Sequence, residues 1–158
     1  MKFFQRLIDL WWMHRMFSKQ DLDAITVAVT KAEQTTSGEI RVVIRARRDD
    51  SIPDVKTQAE ADFLKHKMHD TRDKTGVLLL IVLADRAFYI MGDEGINNLL
   101  PPNFWEQQAI ELSSAFHERH STKGICESVE AIGRCLCEHF PKKHDDTNEL
   151  PNRPVLEV

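Results

Sequence analysis

The sequence predicts an α/β fold: an α/β/α sandwich with a small mixed β-sheet, built from a parallel β-α-β unit plus an antiparallel hairpin and flanked by helices. Three observations predict it. Residues 77–83 (VLLLIVL) form an uninterrupted apolar run, the pattern of a strand covered on both faces. A second strand pattern, Glu39 to Ala46, lies upstream, and the helical stretch between the two has the length of a parallel crossover. Helical periodicity precedes and follows the strands, so helices can cover both sides of one sheet.

The elements follow in chain order. Phe4, Leu7, Ile8 and Trp11 recur at helical spacing within residues 1–17, an amphipathic aromatic helix that also carries Trp12. Its apolar face is wide, and three roles fit it: packing onto the domain, pairing with a partner or second copy, or lying on a membrane surface. Lys2, Arg6, Arg15 and the two Trp residues suit the last role. Phe4, Trp11 and Trp12 are therefore the candidate partner or membrane contacts.

Ser18 followed by Asp21 reads as a capping box that opens a second helix. Leu22, Ile25, Val29 and Ala32 form its stripe, and Ser37-Gly38 ends it. In the next strand Ile40, Val42 and Ile44 alternate with Arg41, Val43 and Arg45. One face is apolar and the other largely charged. Arg45, Arg47 and Arg48 precede Asp49 and Asp50, the pattern of a solvated strand end.

Pro53 is placed to start a third helix reaching about Asp70, with Val55, Ala59, Phe63 and Leu64 on its buried side. Strand 77–83 then turns at Ala84-Asp85 and returns as residues 86–91. One helical turn near 96–100 ends at Pro101-Pro102. Trp105, Ala109, Leu112 and Phe116 mark a fourth helix, and Ile125, Val129, Ile132 and Leu136 a fifth. Residues 18–140 thus form one α/β domain. The tail, 141–158, contains prolines and acidic residues with little apolar content and reads as disordered or as a short docking tail.

Composition bounds the function. The chain has 158 residues, 42% apolar and 29% charged, with a net charge of −4. That charge gives no electrostatic case for nucleic acid. The longest apolar run, Val77 to Ala84, is far short of the roughly 20 residues that cross a bilayer. The N-terminus lacks a signal-peptide pattern. Three cysteines, Cys126, Cys135 and Cys137, fit reduced thiols in a cytoplasmic protein. A cytoplasmic location, peripheral on the inner membrane, follows as an expectation.

The hairpin register locates a candidate site. Asp73 precedes one strand, and Asp93 and Glu94 follow its antiparallel neighbour, so the three should meet at one sheet edge. Carboxylates gathered with backbone carbonyls near Gly92 and Gly95, and with Asn97 or Asn98, would suit Ca²⁺ or Mg²⁺. The competing reading is that Asp93 only caps the following turn. Arg72 or Arg86 could pair with a phosphate. No nucleophile is specified: the cysteines sit in an apparent helix with no phosphate-cradling loop. His66 with His69, and His117 with His120, have helical spacing but lack the further ligands zinc requires.

The stretches TTSGEIRVVI (35–44) and TRDKTGVLLLIVLADRAFYIMGDEGI (71–96), followed by Phe104-Trp105, Phe116 and Gly124, resemble the TPM domain family. Its name reflects thylakoid-lumen, photosystem-repair and receptor-auxiliary members. The resemblance implies a sheet flanked by helices. It also implies diverse roles: acid phosphatase for one plant member, divalent-cation binding for some bacterial ones, receptor accessory subunits in animals. Many bacterial members are membrane-tethered; these 158 residues carry no signal-peptide or membrane-spanning pattern, so the expectation is an untethered protein. Two functions stand as expectations: a non-catalytic binding module with a divalent cation at the Asp73/Asp93/Glu94 edge, or a metal-dependent phosphatase acting there on phosphate esters. Whether the chain is an enzyme stays open at this point.

Overall fold

The computed structural model describes residues 2–158, the side chain of Lys2 excepted. In chain order the elements are α1 (Lys2–Met16), α2 (Lys19–Glu33), β1 (Glu39–Arg45), α3 (Val55–Lys65), a 3-10 turn (Met68–Asp70), β2 (Gly76–Val82), β3 (Ala87–Gly92), α4 (Glu94–Asn97), α5 (Phe104–His117), α6 (Ser121–His139) and β4 (Val155–Glu157). The sheet runs β3-β2-β1-β4. β1 is parallel to both β2 and β4, and β2 is antiparallel to β3, so the mixed sheet and the crossover are as the sequence predicts. Among the described residues no helix is long and apolar enough to cross a membrane.

Strand alternation builds two cores. Ile40, Val42, Ile44, Val77, Leu79 and Ile81 face α2, α5, α6 and the C-terminal end of α1. Val43, Leu78, Leu80 and Val82 face Ala59 and Phe63 of α3 and Met68. Every residue of β2 is buried, which explains why it lacks polar positions. The first core closes tightly where α6 crosses α2: a Cβ on Gly133 would lie 2.6 Å from the Cβ of Ala32. Only glycine lets the two helix backbones approach so closely.

Ser18 and Asp21 form the expected capping box on α2. Elsewhere the elements differ from expectation. α3 starts at Val55, capped by the Asp54 side chain, which accepts from Thr57 N at 2.8 Å; Pro53 lies outside the helix. The helix stops at Lys65, because Lys67 takes a left-handed conformation before the 3-10 turn. His66 and His69 therefore do not share a helix, and Leu64 is exposed while Asp62 and Gln58 face inward. His117 and His120 are likewise split between the end of α5 and the residue before α6.

Arg45 is not at a solvated strand end. Its Nε and Nη2 each donate to Asp62 at 2.7 Å, with the two side chains only 6% and 1% exposed. This bidentate fork satisfies a charge that α3 would otherwise bury alone. Arg47 and Arg48 pair with Asp9 and Asp85.

The tail is also ordered at its end, against the expectation of disorder. β4 pairs with β1 from Val43 to Arg45, and Ala46 N donates to Glu157 O at 2.9 Å. Lys65 and Arg153 add ion pairs to Glu157 and Asp23, both at 2.9 Å. A strand ladder supplies hydrogen bonds whatever the composition, so few apolar residues are needed to hold it. Segment 140–142 bonds to the α2–β1 turn: Ser37 N donates to Phe140 O at 3.0 Å and Lys142 N to Thr35 O at 3.2 Å.

Candidate functional site

The acidic edge forms at the backbone level. Val77 pairs with Gly92, and Asp93 N donates to Gly76 O at 2.9 Å. Gly95 seats against the preceding loop: a Cβ there would lie 2.5 and 2.6 Å from the carbonyl oxygens of Asp73 and Lys74. The side chains, however, are already engaged. The Asp73 carboxylate faces Lys143 Nζ at 3.5 Å and Arg72 Nε at 3.7 Å. Asp93 is the N-cap of α4, its Oδ1 accepting from Glu94 N at 2.8 Å, and Glu94 is exposed. Asn97 donates to Gly92 O and accepts from Trp105 Nε1, each at 2.9 Å.

Asp93 Oδ2 is buried without a partner, while the Glu94 carboxylate points to solvent, so the oxygens left uncommitted at this edge are not gathered around one point as the six or more ligands of a calcium or magnesium site must be. Among the described residues no three His, Cys, Asp or Glu side chains come together in a way that could hold a metal ion. Asp73, Asp93 and Glu94 as arranged do not fit a cation cage, because Asp73 is drawn into ion pairs, Asp93 caps α4 and Glu94 faces solvent, so the three carboxylates do not converge. The competing reading of Asp93 as a helix cap is the arrangement observed.

Arg72 and Arg86 lie at opposite ends of the hairpin. Arg72 is drawn to the tail, donating to Asp145 at 3.3 Å. Arg86 closes the four-residue turn between β2 and β3 with φ of 50°. The length of β2, roughly 20 Å for a seven-residue strand, separates them, so one phosphate cannot bridge both. The three thiols lie along α6, and burial pushes those of Cys126 and Cys135 up, away from nucleophilic thiolate.

A different pair of carboxylates carries the strongest electrostatic perturbation. Glu33, the last residue of α2, and Glu39, the first of β1, are both buried. Glu33 Oε1 accepts from Ile40 N at 2.7 Å, and Glu39 Oε1 from Glu149 N at 2.7 Å. Burial, reinforced by their mutual repulsion, pushes Glu33 up to about 8; burial and the nearby Glu149 and Asp146 push Glu39 up to about 7. Glu39 Oε2 is buried with no partner. The sequence signal for this pair is faint: a glutamate ending a helix, then S-G-E at the start of a strand.

The N-terminal helix is the most unusual surface. Asp9 is 4% exposed and paired, accepting from Gln5 at 3.0 Å and from Arg47 at 3.1 Å. Met13 packs into the core and Trp12 against it. Phe4 and Trp11, in contrast, are 72% and 63% exposed, and Phe3, Leu7, Ile8 and Leu10 are exposed with them. Positions 3, 4, 7, 8 and 11 share one helix face. The helix thus turns its acidic residue inward and its aromatic face outward. Trp12, expected on the contact face, belongs to the packed side.

The family model for the TPM domain matches residues 13–135. A solved relative, the BA42 protein from the psychrophilic bacterium Bizionia argentinensis determined by NMR, is 34% identical with a TM-score of 0.79. The similarity covers 89% of this chain and 94% of that one. No match is found among the curated proteins. With the family model spanning most of the domain and the sheet order and helical layers in place, the chain belongs to the TPM domain family.

Proposed function

We propose that this TPM domain is a non-catalytic module that sits on an anionic membrane surface through α1, on the cytoplasmic face of the inner membrane. The observation that carries the reading is the outward apolar face of α1. Phe3, Phe4 and Trp11 alone leave roughly 300–500 Å² of aromatic surface in water, taking about 150–250 Å² for each whole side chain. That already matches the largest patch of an ordinary monomer, about 300–600 Å². The charge on the helix supports lipid as the occupant. Arg15 lies over the Trp11 ring at 5.4 Å, and the one acidic residue of α1 is buried against Arg47. What remains outside is aromatic and cationic, the composition of a helix lying in a headgroup layer.

Vesicle flotation of the full chain tests this. The chain should float with vesicles containing phosphatidylglycerol and much less with phosphatidylcholine alone. Phe4→Asp and Trp11→Asp should each remove about 2 kcal/mol of partitioning, roughly thirtyfold, for side chains inserted to about half their area. Unchanged flotation in the double variant would refute the reading. So would a stable dimer that these substitutions dissociate, since the face would then be covered by a second copy.

A further inference from the structure

At the far end of the sheet from the acidic edge lies a groove of about 1040 Å³. It opens between the β2–β3 turn and the α5–α6 junction. Its volume is that of a large ligand pocket. Its floor is apolar: Ile81 and Leu83 are buried beneath it, and the rings of Phe88 and Phe116, stacked on each other with centroids 6.0 Å apart, line it. Met16, the last residue of α1, forms part of the wall, so the helix that carries the exposed aromatic face ends at the groove.

The rim is cationic. Arg86, Arg119 and Lys123 line it; among the described residues neither arginine forms an ion pair, and Lys123 has one exposed pair, with Glu127 at 3.7 Å. Both arginines take left-handed backbone conformations, with φ of 50° and 63°, at corners that present them to the groove. The single acidic residue of the lining is already satisfied. Asp21 Oδ2 accepts from Ser18, and Oδ1 from Thr122 Oγ1 at 3.0 Å. The 19-residue helix α6 also starts here, and its N-cap, His120, offers no side-chain acceptor to the first N–H groups.

We propose that this groove binds one anionic phospholipid of the membrane on which α1 lies. Its phosphodiester meets Arg86, Arg119, Lys123 and the start of α6, and an acyl chain lies along Phe88 and Phe116. An apolar floor beneath a three-cation rim is complementary to an anionic amphiphile, and to neither a neutral lipid nor a bare anion. The inference rests on the membrane reading of α1 and deepens it by naming the lipid class.

The test is an amide NMR titration of the full chain with dihexanoyl phosphatidylglycerol, kept monomeric. Dihexanoyl phosphatidylcholine and inorganic phosphate are the controls. Shifts should cluster in residues 81–88 and 113–123 with the anionic lipid, and each control should bind at least tenfold more weakly. Combining Arg86→Gly, Arg119→Gly and Lys123→Gln should weaken binding at least tenfold. Glycine relaxes both left-handed positions, so folding is retained. Equal response to phosphatidylcholine, equal affinity for inorganic phosphate, shifts confined to α1, or no effect of the triple variant would each overturn the proposal. Phe4→Asp with Trp11→Asp should abolish vesicle flotation yet leave this titration intact, which separates failure of the groove from failure of α1.

Discussion

Replacing Glu33 by glutamine should flatten the pH dependence of stability and stabilise the fold above neutrality. In the unfolded chain a glutamyl carboxyl titrates near its ordinary value of 4.5, whereas in the fold Glu33 is pushed up to about 8 and Glu39 to about 7. Between these limits the folded state holds protons that the unfolded state has released, so stability is highest in acid and falls as pH rises. Each retained proton costs about 1.4 kcal/mol per pH unit, or about 2 kcal/mol from pH 5.5 to 7. Lys142 and Arg41 temper the penalty, while Asp146 and Glu149 add to it. Glutamine keeps the carbonyl oxygen that accepts from Ile40 N and loses the proton dependence.

Urea unfolding at pH 5.5, 6.5, 7.5 and 8.5 is the assay. With a slope of about 2 kcal/mol/M, the roughly 2.7 kcal/mol that accumulates from pH 5.5 to 7.5 moves the midpoint by about 1.3 M. His66 acts in the opposite sense, since burial lowers its pKa and stability from it rises with pH. It is present in both proteins, so the difference between their curves removes His66 and reports the Glu33–Glu39 pair. Parallel curves for wild type and variant would refute the reasoning.

Asp62→Ala leaves Arg45 charged and buried without its fork and should cost about 3–5 kcal/mol, read as a lowered unfolding midpoint; a loss under about 1 kcal/mol would mean water reaches Arg45. Arg119→Gly should raise stability by about 1 kcal/mol, the cost of a left-handed non-glycine residue, while weakening phosphatidylglycerol binding; a loss of stability would show that the side chain is structurally required. Gly133→Val puts a side chain into Ala32 and should cost about 1–3 kcal/mol in the same denaturation assay, with no cost if α2 and α6 can part.

The sheet was readable wherever pattern and local register coincide. The buried run of β2 and its return strand follow from apolar continuity and a short reversal, and the backbone convergence of Asp73 with Asp93 follows from antiparallel pairing. The use of those carboxylates was not readable. Lys143 comes from 70 residues away to meet Asp73, and the N-capping role of Asp93 depends on α4 forming as it does. β4 was hidden for a related reason: its partner Val43 lies more than 100 residues earlier, and three residues have no periodicity to read. Arg45 looked solvent-facing because alternation assigns only a face, and Asp62 on α3 decides what that face meets. Arg86 has the charge to pair with a phosphate, but its groove comes from α5 and α6 folding against the hairpin turn.

β4 has a consequence for how copies of this chain meet. It guards the outer edge of β1 with three residue pairs, and about fifteen residues join it to α6. Extended, such a linker spans roughly 50 Å. That exceeds the width of a domain whose radius of gyration is about 15 Å. Once the bonds that tie the linker to Thr35, Asp73 and Glu39 are released, the strand that covers β1 in one molecule is long enough to pair with the β1 of a neighbour, with identical partners and no new bond types. Reciprocal exchange closes with two-fold symmetry and leaves the sheet order unchanged. Concentrated samples warmed enough to loosen β4 and then cooled should contain interlocked dimers, indistinguishable by circular dichroism from the monomer and slow to separate on dilution.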